Sequence, residues 1–74
     1  MFHQRIRDLR EDADLSQEKI AKVLCMSQQG YSKYETGEND IPTKILIALA
    51  LFHNTSIDYL LGLTNERNPY PRAK

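Results

Sequence analysis

The sequence predicts an all-α fold, a single bundle of five short helices. Its 74 residues leave room for one domain with a modest core. Apolar residues recur at helical spacing in successive segments, and 41% of the chain is hydrophobic, as in a globular protein. Serines stand immediately before three of these segments, where a hydroxyl can accept a free backbone N–H of the first turn.

The first predicted helix covers Gln4–Asp12. Ile6 and Leu9 face inward, and Phe2 can extend this apolar side. Most of the remaining residues are charged and face outward.

The second predicted helix begins after the N-cap Ser16 and covers Gln17–Leu24. Ile20 and Leu24 lie one turn apart and form its apolar stripe. Ala21 beside them is small, as required where two helices cross steeply over a short turn.

The third predicted helix covers Ser27–Glu35, with Ser27 as N-cap. Tyr31 and Tyr34 are three residues apart and face inward. The outer face is then polar and largely uncharged, and holds Gln28, Gln29, Ser32 and Lys33. A glutamine amide donates and accepts at once, which fits the N6 and N7 edge of adenine, and lysine reaches guanine or a phosphate.

The fourth predicted helix runs from Pro42 to about Phe52 and is apolar nearly all round. Its core side consists of Ile45, Leu46, Leu49, Ala50 and Phe52, and a second apolar strip consists of Ile47, Ala48 and Leu51. A helix that is apolar all round is buried all round, and this one is far too short to cross a bilayer. Either the following helix and the tail cover the strip or another subunit does, and we favour the subunit.

Asn54 is expected to end the fourth helix in the left-handed region, and Ser56 to cap a fifth helix over Ile57–Leu61 that Gly62 stops. The stretch that follows has two prolines and no apolar period. We therefore predict a domain over residues 1–62 and a flexible C-terminal tail over residues 63–74.

Composition excludes several classes of function. Lys plus Arg and Asp plus Glu both total 10, so the net charge is zero, which argues against a protein that holds nucleic acid by bulk positive charge. A single cysteine excludes an internal disulfide. Cys25, His3 and His53 do not have the spacing of a metal site, so we expect no metal and no cofactor. The Cys25 thiol is instead expected to be buried or half-buried. No nucleophile and base stand at a catalytic spacing, which argues against an enzyme. No signal-like segment is seen, so a cytoplasmic protein without a membrane span is expected.

Three motifs in combination resemble the helix-turn-helix domain of the lambda-repressor-like family, also called the xenobiotic-response-element regulators. They are LSQEKIAKVL at 15–24, SQQGYSKYETG at 27–37 and TSIDYLLG at 55–62. The resemblance implies a five-helix DNA-binding bundle whose third helix enters the major groove of double-stranded DNA. Two departures stand out: Cys25 occupies the turn position where the family usually has glycine, and the loop after the third helix carries Glu38 and Asp40 where the family often has basic residues.

Residue roles follow from this resemblance and from the outer face of the third helix. Base contacts are expected from Gln28, Gln29 and Lys33, and phosphate contacts from Gln17, Ser27 and Ser32. The resemblance also pairs Arg10 with Glu35, which would fix the third helix against the first. A homodimer interface is expected to include Ile47, Ala48, Leu51 and Tyr59.

The function that these observations favour is a sequence-specific transcriptional regulator, a repressor acting as a homodimer on a pseudo-palindromic operator. The alternative is a protein-interaction module of the same fold, such as an antitoxin, that holds a protein partner on the apolar face of its fourth helix. The neutral net charge and the acidic loop support this alternative.

Overall fold

The computed structural model of the chain describes residues 3–71. Over this range the chain forms five α-helices and no strand, which confirms the predicted all-α bundle. The helices are α1 (Gln4–Asp12), α2 (Gln17–Val23), α3 (Gln28–Thr36), α4 (Thr43–Phe52) and α5 (Ile57–Leu60). No helix within the described range has the length and hydropathy needed to cross a bilayer. The expectation for Phe2 and the last three residues of the predicted tail, 72–74, lie outside the described residues.

The predicted serine caps are confirmed at three helix starts. The Oγ atoms of Ser16, Ser27 and Ser56 accept the backbone N–H of the residue three positions on, at 3.1, 3.1 and 3.0 Å. Each bond satisfies one of the N–H groups that the first turn of a helix leaves free. These three caps explain why the predicted starts of α2, α3 and α5 agree with the observed ones to within one residue.

Four of the helices end in the same backbone motif. Asp14, Cys25, Asn54 and Gly62 each adopt a positive φ, between 53° and 78°. In α2, for example, the Cys25 N–H donates to the carbonyl of Lys22 and the Met26 N–H to that of Ala21. This is the Schellman arrangement, in which two otherwise free carbonyls of the last turn are bonded.

One contiguous core joins all five helices. Its buried apolar residues are Ile6, Leu9, Ile20, Ala21, Leu24, Tyr31, Leu49, Ala50 and Leu60. The predicted inward residues of α1, α2 and α3 are among them, except that Tyr34 is half-buried at the edge of the core.

Two expectations about burial are wrong. Phe52 was expected in the core but is 42% exposed, because it lies in the last turn of α4 and packs edge-on against the His53 ring. The Cys25 thiol was expected to be buried or half-buried but is exposed, since the left-handed turn that Cys25 makes lies on the surface.

The segment after α5 lies against the bundle. The Thr55 hydroxyl, which is buried, donates to the Arg67 carbonyl, and the Arg5 guanidinium donates to the Thr64 carbonyl and to Asn65 Oδ1. These contacts join residues 63–71 to α1 and to the turn before α5. The division at residue 62 and the flexibility of the tail remain predictions.

Candidate nucleic-acid interface

The turn between α2 and α3 sets the position of the polar face of α3. Ala21 is buried in α2, which packs against α3, and the Schellman turn at Cys25 leads directly to the Ser27 cap of α3. Tyr31 is fully buried, which fixes the rotation of α3 about its axis. The opposite side of α3 therefore faces solvent.

Five of the six predicted contact residues lie around one shallow groove, which we call the polar groove. The groove measures about 440 Å³ and is lined by Gln17, Gln28, Gln29, Ser32, Lys33 and Glu38. The two glutamines of α3 and Lys33 are exposed, and Ser32 is half-buried. Ser27, the sixth predicted residue, does not line the groove. It lies exposed at the start of α3, and its Oγ accepts the Gly30 N–H.

Gln17 has a partner that the sequence did not suggest. Its Nε2 donates to Glu35 Oε1 at 3.0 Å. Because a carboxylate only accepts, the amide nitrogen must point toward Glu35, which fixes the orientation of the side chain. The second Nε2 hydrogen and the amide oxygen remain for another partner.

Arg10 and Glu35 form a bidentate ion pair beneath this surface. Arg10 Nε lies 2.6 Å from Glu35 Oε2, and Arg10 Nη2 donates to Glu35 Oε1 at 3.1 Å. Their side chains are only 12% and 3% exposed. Arg10 Nη1 also donates to the Leu15 carbonyl at 2.8 Å, so one guanidinium joins α1, the loop before α2 and α3.

The electrostatics of this cluster keep Glu35 ionised. Burial acts to raise the pKa of Glu35, but the hydrogen bonds from Arg10 and Gln17 and the nearby Arg10 charge outweigh it and hold that pKa below its usual 4.5. The bond to Glu35 raises the pKa of Arg10. Burial, with the nearby carboxylate, raises the pKa of Tyr31, whose hydroxyl lies beside Glu35 without a well-formed hydrogen bond.

A second surface is apolar and lies on α4 and α5. Ile47 and Leu51 are 46% and 57% exposed, whereas Ala48 is half-buried and packs against the core. Tyr59 is half-buried too, and the Arg5 guanidinium covers its ring at 4.2 Å from the centroid. Of the four predicted interface residues, Ile47 and Leu51 thus offer the most apolar surface.

The end of the tail borders this apolar surface. A second groove of about 420 Å³, which we call the apolar groove, is lined by Ile47, Ala50, Leu51, Ser56, Ile57, Asp58, Tyr70 and Pro71. The Tyr70 hydroxyl donates to Asp58 Oδ2 at 2.9 Å, which raises the pKa of Tyr70. The tail reaches the edge of the strip yet leaves Ile47 and Leu51 about half exposed.

Sequence reasoning missed one residue of the polar groove. Glu38 was placed in an acidic loop, without a role beyond its charge, yet it lines the groove together with Gln28 and Lys33. The signal was Gly37, whose φ of 81° turns the chain at the end of α3 and brings the next residue back beside it.

Comparison with known proteins gives a consistent result. The Helix-turn-helix family model matches residues 6–60. The chain is 35% identical, over its whole length, to the uncharacterized HTH-type transcriptional regulator YobD of Bacillus subtilis (strain 168), covering 66% of that protein. It is 36% identical over 88% of its length to the SPbeta prophage-derived uncharacterized HTH-type transcriptional regulator YonR of the same organism, covering 60% of it.

A third relative has a more specific name. The cryptic phage CTXphi transcriptional repressor RstR of Vibrio cholerae is 34% identical over 84% of the chain, which covers 56% of that repressor. The chain therefore spans between 56% and 66% of the length of these three relatives. No solved structure matches the chain closely enough to count as similar.

Proposed function

Because the chain belongs to the helix-turn-helix family, we propose that it is a transcriptional regulator that binds specific sequences of double-stranded DNA through α3. The observation that carries this proposal is the polar groove, where two glutamine amides and a lysine face solvent on one side of α3. Family membership also supports the prediction that the chain is not an enzyme.

The proposed geometry places α3 in the major groove. Gln28, Gln29 and Lys33 contact base edges, and Ser27, Ser32 and Gln17 contact phosphates. Gln17 can do so through the Nε2 hydrogen that Glu35 leaves free. The partly buried bond to Glu35 would then hold a phosphate-contacting amide in place before DNA arrives, which lowers the entropy lost on binding.

The balanced charge shapes the proposed mode of binding. Non-specific affinity comes mainly from phosphate attraction, and a chain with ten basic and ten acidic residues has little of it to offer. Specific affinity then depends on base contacts and on pairing two copies over two half-sites about 34 Å apart. We propose a homodimer that acts as a repressor on such a site in the cytoplasm, where it meets its DNA.

The decisive experiment is a selection from random-sequence duplex DNA with the purified chain, followed by sequencing. We expect enrichment of a two-fold symmetric motif. Gln28→Ala should lose about 1–3 kcal/mol of discrimination at one position of each half-site and keep the fold. Gln4→Ala is the matched control, since Gln4 is an exposed glutamine on α1 whose side chain bonds only to Asp8 among the described residues. Enrichment of no sequence by folded protein would refute the proposal.

The apolar groove favours a second candidate, a module that binds a protein partner through α4. Two variants separate the candidates. Under the DNA proposal Lys33→Glu abolishes DNA binding, because it places a negative charge among phosphates. Under the alternative Lys33→Glu has no effect, and Leu51→Lys abolishes partner binding.

A further inference from the structure

Glu38 stands out in the polar groove because it brings a negative charge to a surface proposed to meet DNA. Its position is fixed by the turn at the end of α3, where Gly37 has a positive φ and the Asn39 N–H donates to the Lys33 carbonyl at 3.2 Å. The turn brings Glu38 alongside Gln28 and Lys33 on the same groove.

The Glu38 carboxylate has no ionic partner of its own. Within residues 3–71, no lysine, arginine or histidine nitrogen forms a salt bridge with it, including Lys33 in the same groove. The residue is exposed, so its oxygens are available to an external donor. The other acidic residue of the loop, Asp40, is exposed but does not line the groove.

The chemistry of the major groove restricts what such a carboxylate can meet. An ionised carboxylate only accepts hydrogen bonds, and phosphates repel it. The base edges offer two amino donors, cytosine N4 and adenine N6. Adenine presents the acceptor N7 next to its amino group, which suits an amide and repels a second acceptor. Cytosine presents N4 alone and so matches a carboxylate.

We propose that Glu38 is a specificity-determining residue that accepts a hydrogen bond from N4 of a cytosine in each half-site. The inference rests on the proposed DNA-binding function and adds one base position to it. A carboxylate at position 38 cannot contact a phosphate favourably, so the proposed base contact gives Glu38 a role that phosphate binding could not give it. Phosphate repulsion at this site penalises every sequence, and the cytosine contact offsets the penalty only at the correct one.

The test is the random-sequence selection repeated with Glu38→Ala and, as matched control, Asp40→Ala. Both variants remove one negative charge from the same exposed loop, and far-UV circular dichroism checks that each keeps its helices. The expected result with the unmodified chain is a motif with a cytosine preferred about tenfold at one position of each half-site. Glu38→Ala should lose the preference at that position and keep all others, while Asp40→Ala keeps the whole motif.

Each other outcome overturns a distinct statement. If Glu38→Ala enriches the same motif as the unmodified chain, Glu38 reads no base, even if the variant binds all DNA more tightly. If both alanine variants lose the same position, the effect is one of charge and the specific contact is refuted. If the unmodified chain enriches nothing, the proposed function itself fails and the inference fails with it.

Discussion

Glu35 of α3 is the acceptor that Arg10 and Gln17 share, so it ties α3 to the two preceding helices. It accepts from Arg10 of α1 and from Gln17 of α2, so its carboxylate lies at the junction of three helices. The same arrangement supports the proposed DNA contact of Gln17. A single carboxylate therefore links the packing of the bundle to the geometry of the polar groove.

Replacing Glu35 should be costly although the substitution is nearly isosteric. Glu35→Gln leaves the Arg10 guanidinium buried without its counter-ion, and we expect a loss of about 3 kcal/mol in the free energy of unfolding. Urea denaturation measures it. Glu11→Gln is the matched control, because Glu11 pairs with Arg7 at 3.3 Å with both side chains about half exposed. Glu11→Gln should lower the free energy of unfolding by less than about 1 kcal/mol. Equal losses for the two variants would show that the buried pair contributes no more to stability than the exposed one.

Ionisation of Glu35 should also make the free energy of unfolding depend on pH in the acid range. The pKa of Glu35 is lowered in the folded state, so the unfolded chain takes up a proton first as the pH falls through about 4.5. The contribution of the ionised Glu35 to the free energy of unfolding is complete above that pH. It is lost as the pH falls toward the lower pKa that Glu35 has in the folded state. Urea denaturation at a series of pH values should show a smaller loss below pH 4.5 in Glu35→Gln than in the unmodified chain. Burial lowers the pKa of His53 as well, and its contribution cancels in this comparison.

At the scale of whole elements, we expect the left-handed residues that end the helices to influence the free energy of unfolding. Cys25 and Gly62 occupy equivalent positions after α2 and α5, with φ of 57° and 78°. A side chain in this region has a steric penalty that glycine lacks. The chain thus accepts at Cys25 a cost that it avoids at Gly62.

Exchanging glycine and side chain at these two positions should have opposite effects. Cys25→Gly is expected to raise the free energy of unfolding by up to about 1 kcal/mol, since the thiol is exposed and contributes no packing. Gly62→Ala is expected to lower it by about 1 kcal/mol, because its Cβ would meet no atom within 4 Å and only backbone strain acts. Thermal unfolding followed by circular dichroism measures both. Changes of the same sign would contradict this account.

The helix ends could be predicted from the sequence because their causes are local. Ser16, Ser27 and Ser56 bond within three residues of themselves, and Asn54 and Gly62 act within one turn. The polar face of α3 was predictable for a similar reason, since Tyr31 fixes which side is buried.

Contacts between distant parts of the chain could not be predicted in this way. The bonds from Arg5 to Thr64 and from Thr55 to Arg67 depend on where the chain returns after five helices. No periodicity in a segment with two prolines indicates that return. Glu38 was missed as a groove residue for a related reason, because its place depends on the direction of a turn and not on a helical repeat.

At the scale of the molecule, two surfaces of different chemistry lie on different helices. The polar groove belongs to α2, α3 and the loop after it, and the apolar groove to α4, α5 and the end of the tail. Separate surfaces would allow the proposed DNA contact and the proposed self-association to occur together. The proposal gives one copy only three base-contacting side chains on α3, and the chain has zero net charge, so a second copy is expected to be needed for useful specificity.

Self-association should therefore depend on Leu51, the most exposed residue of the strip on α4. Leu51→Lys places a charge in a surface that the proposed dimer buries, so the variant is expected to sediment as a monomer where the unmodified chain forms dimers. Its affinity for a two-half-site operator should fall by 10²-fold or more, with affinity for one half-site unchanged, as expected when paired binding is lost. Val23→Lys is the control, because Val23 is similarly exposed, at 51% against 57%, but lies on α2. A monomeric unmodified chain would refute the proposed dimer, and a dimer that survives Leu51→Lys would place the interface elsewhere. Either result would leave the apolar groove to another partner.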